Sequence, residues 1–173
     1  MVNGKSSNCT WVDDCQLDSN LPMYFSEEYV PTSSERMLLY RELDGLERDE
    51  DVDKFRSRLI DRFGPLPQEA EDLLQVVALR RLGKHFGCER IVLKRVPTVA
   101  GKERSGYARL FFGPADDNPF YDGRVFGQVV NFAKANAYRC HFKQDKNKIS
   151  LLIDEVNNIG QAVELLKQIT NYE

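Results

Sequence analysis

Four residues of this chain, His85, Cys88, Cys140 and His141, are of the types that bind a transition metal, and His85 and Cys88 have the His-x-x-Cys spacing of half a zinc site. Cys140 and His141 are consecutive where apolar and polar residues alternate, so as strand neighbours they point to opposite faces and cannot both reach one ion. With no Cys-x-x-Cys pair to complete a set, buried thiols and surface imidazoles are the better reading. The acidic pairs Asp13-Asp14 and Asp116-Asp117 could ligate calcium or transfer protons, but neither has the glycine and distal glutamate of a calcium loop. No Gly-x-x-x-x-Gly-Lys phosphate loop and no Gly-x-Ser-x-Gly elbow occurs. The sequence therefore predicts a chain that is not an enzyme, with no metal and no cofactor of its own.

A different chemistry is suggested by Ser105-Gly106-Tyr107-Ala108-Arg109-Leu110-Phe111-Phe112, which partly matches the base-stacking strand of an RNA-recognition motif. It matches at Gly106, Tyr107, Ala108 and Phe112. It departs at Ser105, where a basic residue is expected, and at Arg109, where a second stacking aromatic belongs. With Lys102, Arg104 and Arg109 near Tyr107, a nucleic-acid face on this strand and its basic hairpin is the alternative functional reading. A solvated hairpin competes with it, because a net charge of −3 gives no global attraction to nucleic acid.

The elements that would position these groups follow from periodicity. At 173 residues with 42% hydrophobic and 29% charged residues, the chain has the composition of a folded globular protein, and two full domains would be crowded. No apolar run approaches the ~20 residues of a membrane span and no secretory signal opens the chain, which predicts a cytoplasmic protein. Its four cysteines are expected as free thiols. Residues 1–16 read as a disordered or cloning-derived lead-in, and residues 17–173 as one α+β domain. Its helical part, 17–87, opens with extended chain and then holds three helices. The first follows Thr32-Ser33-Ser34-Glu35, which has capping-box spacing, and runs to about Leu46. The second starts near Asp49 and buries Val52, Phe55, Leu59 and Phe63. The third starts at Pro67, carries Ala70, Leu73, Leu74, Val77 and Leu82, and ends at Gly87.

Between the second and third helices stands Leu59-Ile60-Asp61-Arg62-Phe63-Gly64-Pro65-Leu66-Pro67. Here Gly64 can take a conformation closed to other residues, and Pro65 forbids continuation of the helix. The remaining part, 88–173, reads as ββαββα: strands at Arg90–Val96 and Tyr107–Phe112, a helix capped by Asp122, strands around Cys140 and Ile149–Ile153, and a helix over Asn158–Thr170. The order suggests a duplicated ββα unit forming a small antiparallel or mixed sheet packed by helices.

The run from Leu21 to Ile169 resembles the C-terminal domain of the bacterial transcription-repair coupling factor family, Mfd. The resemblance rests on Leu21-Pro22, Glu27-Glu28-Tyr29-Val30-Pro31 and Glu35 to Leu43. It continues through Leu59 to Pro67 and the segment from Leu73-Leu74 to Leu79-Arg80 that ends in Phe86-Gly87. It implies a terminal piece of an ATP-driven DNA translocase that displaces RNA polymerase and recruits excision repair through UvrA, with ATP and Mg belonging to the parent rather than to this piece. It also implies a regulatory, autoinhibitory role: docking on the parent's UvrB-like module and masking the surface that UvrA needs. Arg58, Asp61 and Arg62, beside the helix junction, are the docking candidates, although Asp61 and Arg62 could equally serve helix-end electrostatics. Arg58 stands where the family is expected to carry an acid, so a docking surface that used that acid would have changed sign or moved. The isolated domain is expected to be a monomer without direct nucleic-acid binding.

Overall fold

The computed structural model describes residues 12–96, 105–114 and 118–172. In chain order the elements are β1 (Gln16–Ser19), α1 (Ser33–Asp44), α2 (Asp49–Phe63), α3 (Gln68–His85), β2 (Cys88–Arg95), β3 (Gly106–Pro114), α4 (Arg124–Ala135), β4 (Cys140–Asp145), β5 (Lys148–Asp154) and α5 (Ile159–Ile169), with a short 3-10 turn at Pro119–Asp122 before α4. This is the α+β architecture predicted from sequence. The strands form one sheet in the order β1-β2-β3-β5-β4, antiparallel except for β1, which runs parallel to β2. The order β2-β3-β5-β4 is unchanged when the two hairpins are exchanged.

One face of the sheet is covered. Ile91, Leu93, Ala108, Leu110, Leu151 and Ile153 alternate inward along β2, β3 and β5 and meet Val129 and Phe132 of α4, Ile159, Leu166 and Ile169 of α5, and Leu79 of α3. A second core lies among the first three helices, where Phe55 and Leu59 of α2 pack with Phe25, Val30, Leu43 and the Ala70, Leu74 and Val77 stripe of α3. Thus α3 belongs to both cores, its first turns to one and its later turns to the other. Gly83 lets it approach the sheet: a Cβ there would lie 2.5 Å from the Cys15 sulfur and 3.0 Å from Ile91.

Several local expectations are corrected. Residues 12–16, read as part of the lead-in, belong to the fold: Cys15 is fully buried, Gln16 opens β1, and Arg80 of α3 binds the Cys15 carbonyl at 3.0 Å and Asp14 at 2.7 Å. The segment read only as extended chain therefore contributes a sheet strand. Thr32 does occupy the cap position of α1, but its side chain makes no capping hydrogen bond. Glu35 instead accepts from the Arg62 guanidinium, a charged donor that outcompetes a backbone N–H. Asp122 does not cap α4; the 3-10 turn intervenes and Gly123 takes that place. Phe63 is only partly buried, against Tyr29. At the helix junction Gly64 has φ 88° and ψ −170°, a region that disfavours any side chain, and its N–H closes α2 on the Ile60 carbonyl at 2.9 Å. The Tyr29 hydroxyl donates to the Gly64 carbonyl at 2.8 Å, pinning the turn.

Carboxylates on both halves are held below their ordinary range. Hydrogen bonds from Arg80, Arg90 and Arg81 lower Asp14, Asp18 and Asp49 respectively. A carboxyl whose folded value is depressed stabilises the fold above its unfolded value, near ~4, and loses that contribution as pH falls through the folded value. Thermal melts should therefore drop progressively below about pH 4, and Asp14→Asn should flatten that acid limb. An acid limb identical in the variant would refute the assignment.

Candidate functional site

The metal-type residues do not converge. Cys140 is largely buried on the helix-covered side of β4, whereas His141 points to the open face and lies 3.3 Å from Asp154. Among the described residues no group of three or more His, Cys, Asp or Glu is placed to hold a metal ion. Cys15, Cys88 and Cys140 are free and buried, and burial pushes the Cys15 thiol up to about 12 and Cys88 well above its ordinary value. Such thiols are poor nucleophiles. Asp116-Asp117, Cys9, Lys102 and Arg104 lie outside the described residues.

A concavity of about 1170 Å³ opens between α1, the α1–α2 connection and α3. Its floor is apolar, with Leu43, Leu73, Val76 and Val77, and its rim is charged. The rim charges bind one another: Arg80 holds Asp14 and Asp44 at 2.7 and 3.1 Å, and Arg81 holds Asp49 at 2.6 Å. These pairs join α3 to the chain before β1 and to the ends of α1 and α2. His85, which also lines the cavity, is pushed below its ordinary value by burial. Guanidiniums committed to neighbouring carboxylates act as structural ties, and no nucleophile and base stand together here.

The docking candidates sit on the opposite side of the helical half. Arg58 of α2 pairs with Glu42 of α1, and Arg62 with Glu35, so that the two pairs are one turn apart on α2 and two turns apart on α1. Each guanidinium also lies over an aromatic ring of its own helix, Arg58 over Phe55 at 5.5 Å and Arg62 over Phe63 at 5.1 Å. The two pairs form a ladder that clips α1 to α2. Leu38, at helical spacing between Glu35 and Glu42, rises between the rungs and is 63% exposed, with Met37 beside it at 58%. Asp61 is exposed on the next face of α2. The docking role implied by the family resemblance pointed to the charged junction residues Arg58 and Arg62 but not to Met37 and Leu38, which look like ordinary members of an amphipathic stripe. The signal was present in α1 itself, where apolar residues occur consecutively over 37–40 and cannot all face one core.

The alternative face is also built. Tyr107 and Arg109 point outward from the uncovered side of β3, with Phe111 following them at the strand's period of two. The guanidiniums of Arg90 and Arg109 lie over the Phe111 ring at 5.3 and 6.0 Å.

Comparison with known proteins places this architecture. The TRCF domain model matches residues 19–101. A transcription-repair-coupling factor of Rickettsia conorii is 32% identical over 152 residues, covering 87% of this chain and 12% of that protein. The protein of the same name from Escherichia coli K12 is 24% identical over 149 residues, covering 86% and 12%, and that of Rickettsia bellii is 36% identical over 66 residues, covering 38% and 6%. The chain thus spans 6% to 12% of the length of these curated relatives. The fold is similar to a crystal structure of the C-terminal domain of transcription-repair coupling factor, with TM-score 0.60, 15% identity, and coverage of 91% of this chain and 94% of that one. No helix among the described residues is long and apolar enough to cross a membrane. Matched in sequence from the first β-strand through the helical half, and in fold over nearly its whole length, the chain belongs to the TRCF domain family of transcription-repair coupling factors.

Proposed function

We propose that this domain is a non-catalytic regulatory module of a DNA-repair translocase that docks on the parent's UvrB-like module through the α1–α2 surface and masks recruitment of UvrA. The supporting observation is the exposed Met37–Leu38 pair framed by the Glu35–Arg62 and Glu42–Arg58 ladder. Neighbouring exposed apolar side chains on an otherwise charged helix supply apolar area that a partner can cover. The energetics suit a switch rather than a permanent seal. Burying Leu38 is worth about 2 kcal/mol, and a coupling free energy of ~1–3 kcal/mol is enough to hold a site mostly closed yet openable. On this reading ATP and Mg act in the parent's motor, RNA polymerase is met by other parts of the parent, and this domain contributes only its docking face.

In the full-length parent, Leu38→Glu should raise UvrA affinity by about five- to a hundredfold and increase ATP turnover, as should removal of the whole domain. The ladder gives a second handle. Arg62→Glu should open the surface, and the exchange Glu35→Arg with Arg62→Glu should restore the helix clip while leaving the partner facing reversed charges. UvrA binding that is unchanged by both the deletion and Leu38→Glu would overturn the proposal.

A further inference from the structure

All the helices that pack on the sheet lie on one side of it, and the other side is bare among the described residues. The register defines what it presents. One row across the strands runs Lys94, Tyr107, Asp154; the next runs Asp18, Val92, Arg109, Leu152, His141; the third runs Gln16, Arg90, Phe111, Ser150, Lys143. Down the centre of this face Tyr107, Arg109 and Phe111 follow one another on β3 about 7 Å apart. Each is planar, and Phe111 is topped by guanidiniums that are themselves stacking surfaces. Cations flank the line on both sides, Arg90 and Lys94 from β2 and Lys143 from β4, and in these rows they outnumber the carboxylates Asp18 and Asp154. That local excess stands against a chain whose net charge is −3.

We propose that the bare face of the sheet binds single-stranded nucleic acid, with bases stacked along Tyr107, Arg109 and Phe111 and phosphates held by Arg90, Lys94 and Lys143. The spacing along β3 is one that successive bases of an extended strand can match, whereas the stacked bases of a duplex offer no flat side to these platforms. An acidic peptide would satisfy the cations but leave the planar groups unused. Asp18 moderates the site, because its carboxylate already engages Arg90 at 2.9 Å and Lys94 at 3.6 Å. A phosphate must compete with it. The inference is independent of the docking role proposed above, which uses the other half of the molecule.

The test is fluorescence anisotropy of the 173-residue chain with labelled oligothymidylate and oligouridylate across a salt series, the two probes separating DNA from RNA preference. Binding is expected at low ionic strength and should weaken log-linearly as salt rises. Tyr107→Ala should weaken it about tenfold and Tyr107→Phe should retain it. Asp18→Asn should tighten it, a gain that a merely misfolded variant cannot produce. The inference is overturned by absence of binding at low salt or by indifference to Tyr107→Ala. Equal competition by polyglutamate, or tighter binding of a duplex of the same length, would also overturn it.

Discussion

Gly106→Ala should destabilise the domain by about 3 kcal/mol, lowering the melting temperature by roughly 10 °C in a chain of this size. Gly106 opens β3, and a Cβ built on it would lie 2.0 Å from the Val156 carbonyl oxygen and 2.9 Å from the Asn157 Cα. The obstacle is backbone, so no side chain can swing away. Relief by separation is also resisted: the Gly106 N–H donates to Asn157 Oδ1 at 2.8 Å, and the Gly106 carbonyl accepts from the Val156 N–H at 3.2 Å. Urea or thermal denaturation reads the effect directly. Gly127→Ala is the internal control, since nothing lies within 4 Å of its Cβ position inside α4. Removing a glycine from a helix interior there should stabilise by about 0.5–1 kcal/mol. If both variants melt within a degree or two of wild type, the close approach of β3 to the segment before α5 is wrong.

Phe55→Ala should cost about 3–5 kcal/mol, and unevenly. The ring is 1% exposed at the centre of the helical core, near Phe25 at 6.4 Å and under the Arg58 guanidinium. Its removal leaves a cavity bounded by α2, α3 and the loop before α1, which helices tied by a salt ladder cannot readily collapse. Hydrogen exchange should show the largest loss of protection in α1 and α2, with the central strands β3 and β5 retaining most of theirs. A cost under about 1.5 kcal/mol, the range of tolerated hydrophobic swaps, would show that Phe55 is not the keystone of that core.

What could be read from sequence divides along the line between local and non-local physics. The Gly64-Pro65 stop depends on the intrinsic preferences of neighbouring residues, and it stands where expected. Pro67 caps α3 instead of entering it, a displacement of one position. The apolar-rich runs Tyr107 to Phe112 and Ile149 to Ile153, each bounded by turn residues, likewise sufficed for two strands. By contrast β1 has four residues and is recognisable only through its parallel register with β2, more than seventy positions away. Nothing local distinguishes it from a loop. The capping box at Thr32 failed for a related reason, since Glu35 had a better partner twenty-seven residues distant. The docking candidates show both sides of this division. Arg58 and Arg62 are named as charged positions at the helix junction by what the family resemblance implies, but that they grip α1, and that Leu38 stands between the grips, depends on how two helices lie together. Lys102 and Arg104, read as part of the alternative face, lie outside the described residues, and the face that Tyr107 and Arg109 do occupy is completed by Arg90 and Phe111.

The sharing of α3 between the two cores bears on how this chain can be dissected. A fragment ending at His85 would carry Leu79 and Phe86's neighbouring turn stripped of the sheet, and one beginning at Gln68 would carry Ala70, Leu74 and Val77 stripped of α2. Neither piece is a self-contained unit. Grafting the docking surface or the bare sheet face onto another scaffold therefore means carrying α3 along and recoding its orphaned stripe with polar residues, while keeping Gly83 wherever the sheet comes too.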